Sequence, residues 1–311
     1  MMSGLMSTRQ IIYYGGWLLR SKLGDKRPLV NTMIITYECN LRCKHCAIVA
    51  NLDKLPPPHK ISYDAAVEEM KEHYAKGCRI LFFEGGEPTM WKEGEKDLRD
   101  LIKAGREIGY FAIGYTTNGT NVIYEESDVI SVSLDGPREV HDLIRCAGTY
   151  DALMANLDRI THTNVFANMV VMKQNLDKVE ETVRIAAANK HIRGIMLNFI
   201  TPPPKEIALT LEEKKTVVDL ALRLKKEGLP VLNTTKALRE MLIEDYTELC
   251  PYWVSDFILP DRSHYHGCPA EKTDACKECG FDAVREYRLI TKGSISTIRQ
   301  MTGRFAVSTQ R

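Results

Sequence analysis

Eight residues near the start of the chain, Cys39 to Cys46, read CNLRCKHC. They set three cysteines at C-x3-C-x2-C spacing. Clustered thiolates are soft ligands that select zinc or iron–sulfur centres. A structural zinc takes four protein ligands, and this run offers three thiolates and one histidine, His45. Three cysteines suit three irons of a [4Fe–4S] cube and leave the fourth iron open to a chelating molecule. A second set lies near the C-terminus, where Cys250, Cys268, Cys276 and Cys279 follow C-x17-C-x7-C-x2-C. Four thiolates closing in CxxC hold either zinc or a further iron–sulfur cluster. His264 and His266 lie close by and read as surface residues rather than ligands. The other two of the nine cysteines, Cys78 and Cys146, read as buried structural thiols. With no signal-peptide pattern at the start, clustered cysteines point to metal ligation before disulfides.

Loops that hold metal need rigid elements beneath them. Apolar runs at 31–37, 79–83, 110–115, 129–134, 165–171 and 194–200 read as strands. Stretches with helical spacing fall at 63–76, 97–108, 150–160, 176–189 and 211–227. Strand followed by helix, repeated about six times, predicts parallel strands joined by right-handed crossovers. Six units are too few for an eight-unit barrel, so a partial barrel or an open doubly wound sheet is implied. The alternation stops near Leu232, and the remainder reads as a separate small module with the second cysteine set. The expected division is 1–30, 31–231 and 232–311.

The first cysteine run follows the first strand, at the end where parallel barrels gather their ligand sites. The next strands also end in glycine or polar residues: Gly85-Gly86-Glu87-Pro88, Thr116-Thr117-Asn118-Gly119, then SVSLDGP with Ser133 and Asp135. Paired glycines let backbone approach a ligand closely. These motifs in this order, with HDLIR at 141–145, closely resemble the radical S-adenosylmethionine (SAM) superfamily. The resemblance covers about 32 to 200, roughly half of the chain. It implies a partial (β/α)6 TIM barrel in the α/β class, with a [4Fe–4S] cluster on Cys39, Cys43 and Cys46. It also implies SAM chelated to the open iron and cleaved reductively to a 5′-deoxyadenosyl radical. Gly85, Gly86 and Glu87 would bind the SAM amino group, largely through backbone. Asn118, Ser133 and Asp135 would make polar contacts, Asn168 would reach the ribose, and Arg145 would pair with the carboxylate. The position before the third cysteine is usually aromatic and packs the adenine; here it is His45. Cys250, Cys268, Cys276 and Cys279 resemble an abbreviated SPASM or twitch module, which implies one auxiliary [4Fe–4S] cluster, with zinc as the alternative.

Composition fits an enzyme of this kind. Hydrophobic residues at 44% and charged residues at 27% are ordinary for a globular protein, and a net charge of +1 argues against a nucleic-acid partner. No run approaches the ~18 apolar residues of a membrane span, so a cytoplasmic protein is expected. Residues 7–27 mix apolar side chains (Ile11, Ile12, Trp17, Leu18, Leu19, Leu23) with Arg9, Arg20, Lys22, Lys26 and Arg27. That pattern reads either as an interfacial helix touching a membrane peripherally or as a helix packed on the protein body. The overall layout is similar to the adenosylhopane synthases, which act on a membrane lipid. The C-terminal cysteines are equally similar to the peptide-modifying branch, which makes thioether or carbon–carbon crosslinks. The reading leans toward a lipid or other small hydrophobic substrate, with a peptide as the alternative. A one-electron donor of ferredoxin or flavodoxin type is the expected partner. A non-catalytic iron–sulfur carrier is the remote alternative, and it would have no use for GGEP or SLDGP at strand ends.

Overall fold

The computed structural model describes residues 6–201, 204–270 and 273–305. The outer parts of the expected terminal segments, 1–5 and 306–311, lie outside the described residues. Six strands run parallel in chain order: β1 (Val30–Thr36), β2 (Ile80–Gly85), β3 (Ala112–Thr117), β4 (Val129–Ser133), β5 (Val165–Val171) and β6 (Ile192–Phe199). Helices α2 (Tyr63–Lys76), α3 (Leu98–Ile108), α4 (Arg138–Arg145), α5 (Thr149–Leu157), α6 (Val179–Ala188) and α7 (Leu211–Lys226) fill the crossovers. This is a partial barrel of the α/β class, one of the two architectures the alternation allowed and the one the resemblance implied.

The strands show why the sheet has two different faces. Met33, Ile35, Leu81, Phe83, Ile113, Tyr115, Ile130, Val132, Met169 and Leu197 are fully buried in one core cluster with residues of the helices. The alternate positions form the other face, since successive side chains point oppositely. That inner face holds Ile34, Phe82 and Met196, but also Glu84, Thr116, Ser131, Ser133, Asn168 and Asn198. A barrel lined partly by polar side chains is a receptacle rather than a second core.

The region after 231 is joined to the sheet, which differs from the expected separate module. Strand β7 (Ser255–Ile258) pairs parallel with the N-terminal half of β1, Val30 opposite Ser255. Strand β8 (His264–His266) lies antiparallel on its far side. The sheet therefore has eight strands. The open edge of β1 would otherwise present unpaired backbone groups, and β7 satisfies them. Helix α8 (Thr235–Glu240) packs with α9 (Asp282–Thr291), and α10 (Ile295–Phe305) follows.

Helix α1 (Thr8–Lys22) starts in a capping box, Ser7 with Gln10. It packs on the protein body. Trp17 is buried, donates from Nε1 to the Arg27 carbonyl at 2.8 Å, and stands 5.6 Å from the Trp253 ring. Tyr13 donates to the Gly77 carbonyl and meets Phe111 edge to face. Arg27, Gly77, Phe111 and Trp253 all precede strands, so α1 crosses the end of the barrel opposite the cysteine run. Ile11, Ile12, Leu19 and Leu23 stay exposed on its outer side. Among the described residues no helix is long and apolar enough to cross a membrane. Cys78 is buried as expected. Cys146 is exposed, because it ends α4 in a left-handed turn with φ 102° that carries it away from the core.

The packing of α1 makes a direct prediction. Trp17→Ala should lower unfolding stability by about 3–5 kcal/mol, whereas Leu19→Ala should change it by no more than about 0.5 kcal/mol. Urea denaturation checks this, and equal small effects would detach α1 from the barrel.

Candidate functional site

The site begins where β1 ends. Gly86 donates its N–H to the Thr36 carbonyl at 2.7 Å and Glu87 donates to the Glu38 carbonyl at 2.8 Å. A Cβ on Gly85 would stand 2.5 Å from the Thr36 oxygen, and one on Gly86 would stand 2.3 Å from that of Glu38. Both glycines are thus required by close approach to the chain's own backbone, directly before Cys39. The Glu87 side chain is buried and fully engaged. It accepts from the Thr89 hydroxyl and amide, from the Thr117 hydroxyl at 2.8 Å, and from the Asn118 amide at 2.8 Å. Burial pushes its pKa up, and these donors oppose the rise. GGEP and TTNG are one hydrogen-bonded unit.

Asn118 carries that unit to the cysteines. Its side-chain amide donates to Asn40 at 2.9 Å and stands 3.9 Å from the Cys39 sulfur, whose other neighbour is the Leu41 amide at 3.4 Å. The far side of the loop is tied down by Lys44, which donates from its backbone to the Ile144 carbonyl at the end of α4. All three cysteines are half-buried. Burial pushes the Cys39 thiol up and the Cys43 thiol up to about 11.

Asp135 and Arg145, both expected to face SAM, face each other. Arg145 Nε donates to Asp135 Oδ2 at 2.6 Å, and both side chains are buried. Asp135 Oδ1 accepts from the Val170 amide. Burial alone would raise the Asp135 carboxyl, but Arg145, His45 and the Val170 amide together outweigh it and hold the group below the usual carboxylate range. The charge of Arg145 also acts on the Cys43 thiol and opposes the rise that burial causes. His45 stands 3.8 Å from Asp135, its Nδ1 buried without a hydrogen-bond partner. His141 accepts from the Asp135 amide, which locks the SLDGP turn to α4. Ser133 is buried opposite Asn168 in the β4–β5 register.

Asn168 links the two cysteine sets. It accepts from the Asn198 side chain at 2.7 Å, and Asn198 accepts from the Asp282 amide at 2.8 Å. Gly280 exchanges backbone contact with Phe199 at the end of β6, where a Cβ would stand 2.3 Å from the Phe199 oxygen. The second cysteine set is therefore anchored at the same end of the barrel as the first. Cys250, Cys268, Cys276 and Cys279 line one cavity with Tyr246, Tyr252 and Phe281. Burial and the neighbouring thiols push Cys250 up to about 12. The buried Arg285 donates to the Cys279 sulfur at 3.3 Å and to its carbonyl at 2.6 Å, with its guanidinium 4.1 Å from the Tyr246 ring.

Both sets fit a metal group. Buried thiols crowded together resist ionisation, and a bound cation removes that penalty by deprotonating them outright. Cys39, Cys43 and Cys46 could hold three irons, with the unpartnered His45 nitrogen beside them. Cys250, Cys268, Cys276 and Cys279 could hold a second group.

Glu84, Asn198 and Arg285 are members of the site that sequence reading missed. Glu84 projects from β2 onto the inner face and accepts from the Thr116 hydroxyl at 2.8 Å. Burial pushes its pKa up to about 7. Its sequence signal was a lone carboxylate within the apolar run ILFFEGG. His264 and His266 are exposed, as read from the sequence, and each bonds a carboxylate: Glu69 at 2.8 Å and Asp256 at 2.7 Å.

The family model of the radical SAM superfamily matches residues 33–186. The chain is 28% identical over 225 residues to the Fe-coproporphyrin III synthase of Methanosarcina barkeri, covering 66% of this chain and 54% of that protein. It is 28% identical over 176 residues to the mycofactocin maturase MftC of Mycolicibacterium smegmatis, covering 53% and 43%. The chain thus spans about half the length of the curated relatives it matches. Among solved structures, native anSMEcpe with bound AdoMet superposes with a TM-score of 0.61 at 16% identity, covering 88% of this chain and 83% of that one.

The raised Glu84 carboxyl gives a prediction with a definite sign. Its protonated form is favoured in the folded chain, so its contribution is complete below the ordinary carboxylate pKa. That contribution is lost as pH rises through about 7. Glu84→Gln should therefore gain stability over wild type at pH 8, on the order of 1–3 kcal/mol, and show little gain at pH 4. Thermal melts across pH test this; a gain independent of pH would place the carboxyl in water.

Proposed function

Because the chain belongs to the radical SAM superfamily, we propose that it cleaves SAM reductively and uses the resulting radical to modify an unactivated carbon. The observation that carries this is the convergence of Cys39–Cys46, GGEP, TTNG and the Asp135–Arg145 pair on one end of the barrel. Cys39, Cys43 and Cys46 would hold a [4Fe–4S] cluster, which would supply the one-electron reduction that SAM cleavage requires. The chain's own residues bind and orient. Gly85–Glu87 offers backbone to the SAM amino group while its amides stay spent on β1. Arg145 keeps Nε on Asp135 and turns its remaining nitrogens toward the SAM carboxylate. Asn118 steadies Cys39, and Ser133 and Asn168 serve the nucleoside. His45 supplies a flat ring for the adenine in place of the usual aromatic residue.

The substrate enters over the inner face, and its polarity favours a peptide or another polar molecule over a lipid. Glu84 and Thr116 bond each other, as do Asn168 and Asn198, and with Ser131 they form a polar surface that a hydrocarbon would desolvate without supplying new hydrogen bonds. The position of α1 points the same way, since a membrane held there would lie at the end of the barrel remote from the cysteines. The lipid reading keeps one supporting observation, the exposed row Ile12, Leu19 and Leu23 on α1 between Arg20, Lys22 and Lys26. For the second cysteine set, an auxiliary [4Fe–4S] cluster is favoured over zinc because the same chain carries the radical SAM motifs and the four cysteines line one cavity at the same end of the barrel. A one-electron donor of ferredoxin or flavodoxin type completes the scheme.

Two experiments test these readings. Anaerobically reconstituted protein should carry about eight irons and release 5′-deoxyadenosine from SAM and dithionite. Cys43→Ala should release none, and Cys276→Ala/Cys279→Ala should keep about four irons with slow cleavage. Cleavage retained in Cys43→Ala would sink the radical SAM assignment. For the substrate, wild type and Leu19→Glu/Leu23→Glu are sedimented with anionic liposomes. On the polar-substrate reading neither protein pellets above its lipid-free control. Salt-sensitive pelleting that the double substitution removes would restore the lipid reading.

A further inference from the structure

A third ligand cluster lies away from both cysteine sets, on the outer face where β7 and β8 meet α2. Glu69 and His73 are one turn apart on α2 and both fully buried; Asp256 on β7 is buried against them. His264 on β8 is half-exposed and reaches Glu69 Oε2 at 2.8 Å. Ligand atoms of Glu69, His73 and His264 all lie within 4.8 Å of one another. Nothing in the proposed chemistry uses them.

Two atoms in this cluster are buried without a partner, and they face each other. His73 Nδ1 lies 2.8 Å from the Glu69 carbonyl oxygen, so it carries the proton and donates. That leaves Nε2, which has no hydrogen-bond partner and stands 3.6 Å from Asp256 Oδ2, also unpartnered. The gap is too long for a hydrogen bond. It matches two ligands on one tetrahedral ion, which stand about 3.4 Å apart when each bond is near 2.1 Å. The remaining atoms are already held as metal ligands are held, by outer hydrogen bonds. Arg262, in a left-handed backbone conformation at φ 66°, donates to Glu69 Oε1 at 2.6 Å and leaves Oε2 inward. His266 bonds Asp256 Oδ1 at 2.7 Å and leaves Oδ2 inward. Glu68, Glu69 and Asp256 outnumber the one guanidinium of Arg262, and a divalent cation balances them.

We propose that Glu69, His73, Asp256 and His264 form a zinc site that fastens the β7–β8 pair to α2. Nitrogen and carboxylate donors in a four-ligand, closed set suit structural zinc. The ion would seal the barrel edge far from the cysteines, about 17 Å along β1 from Asn31 to Thr36.

The full-length protein is purified and its zinc and iron are measured together. Wild type should hold about one zinc per chain, and Cys276→Ser/Cys279→Ser should keep it. His264→Ala, at a half-exposed position that leaves the fold intact by circular dichroism, should lose it. Cobalt(II) added to the zinc-stripped wild type should give visible absorption of tetrahedral cobalt and raise the melting temperature; His264→Ala should show neither. Zinc that follows the cysteines, zinc retained in His264→Ala, or a wild type with no zinc and no response to cobalt(II) would each overturn the proposal.

Discussion

The end of β1 leaves no room for side chains on its neighbour. Thr36, Tyr37 and Glu38 run so close to β2 that Gly85 and Gly86 are the only residue type that fits beside them. The two amides that follow donate into β1 and fix the starting point of the cysteine loop. Glu87 comes next in the chain and has only one place to go, inward, where Thr117 and Asn118 satisfy it. Asn118 then returns to Asn40 and Cys39. The chain closes a ring of contacts from β1 through β2 and β3 back to the first ligand. A motif that looks like a ligand-binding turn is first a device for placing a cysteine.

A second constraint is electrostatic. Three thiols in a half-buried loop cannot all ionise without a positive group, and the loop itself offers Arg42 and Lys44, which are exposed. The buried cation is Arg145. Burying a guanidinium is costly unless it is paired, and Asp135 pairs it at 2.6 Å. Removing either partner would strand a buried charge beside the cysteines. The second set repeats the arrangement with other parts: Arg285 is buried, held by two carbonyls and the Tyr246 ring, and directed at Cys279. Each cysteine set thus has one buried arginine at its side.

The six central strands, the crossover helices and the strand-end motifs were legible because each carries a local signal: apolar period, glycine pair, cysteine spacing. What was illegible depends on contacts distant in sequence. Strand β7 is four residues long and sits among cysteines and prolines, so only its pairing with β1, more than two hundred residues earlier, identifies it. Asp135 and Arg145 were found individually, but their mutual bond could not be, since each alone suits a ligand equally well. The helical spacing of 63–76 identified α2, yet Glu69 and His73 on that helix are as buried as Met70. Charged residues at a buried stripe become readable only when the partner strand that carries Asp256 is in place. Trp17 is the reverse case: its type suited a membrane surface, and Trp253 and the Arg27 carbonyl claimed it first.

These placements divide the molecule by height along the strands. Both cysteine sets, the glycines and Arg145 lie at the C-terminal ends, where strand register can be disturbed without loss of the core. Helix α1, the β7–β8 pair and the Glu69–His73–Asp256 cluster lie at the opposite end or along the open edge. Six strands cannot close a barrel, so the edge of β1 must be covered by something that does not obstruct the mouth. A short strand paired to the lower half of β1 covers Val30 to Met33, and the 59–61 segment takes over above it, where Ile61 donates to the Ile35 carbonyl at 3.0 Å and Tyr37 donates to the His59 carbonyl at 2.8 Å. The second cysteine set is anchored at the same end of the sheet, where Phe199 donates to the Gly280 carbonyl. Glu84, Asn168 and Asn198 lie on the inner face toward that end. The cover of β1 and the polar inner face thus leave the cysteine sets and the polar strand ends together at one end of the barrel, with α1 across the other.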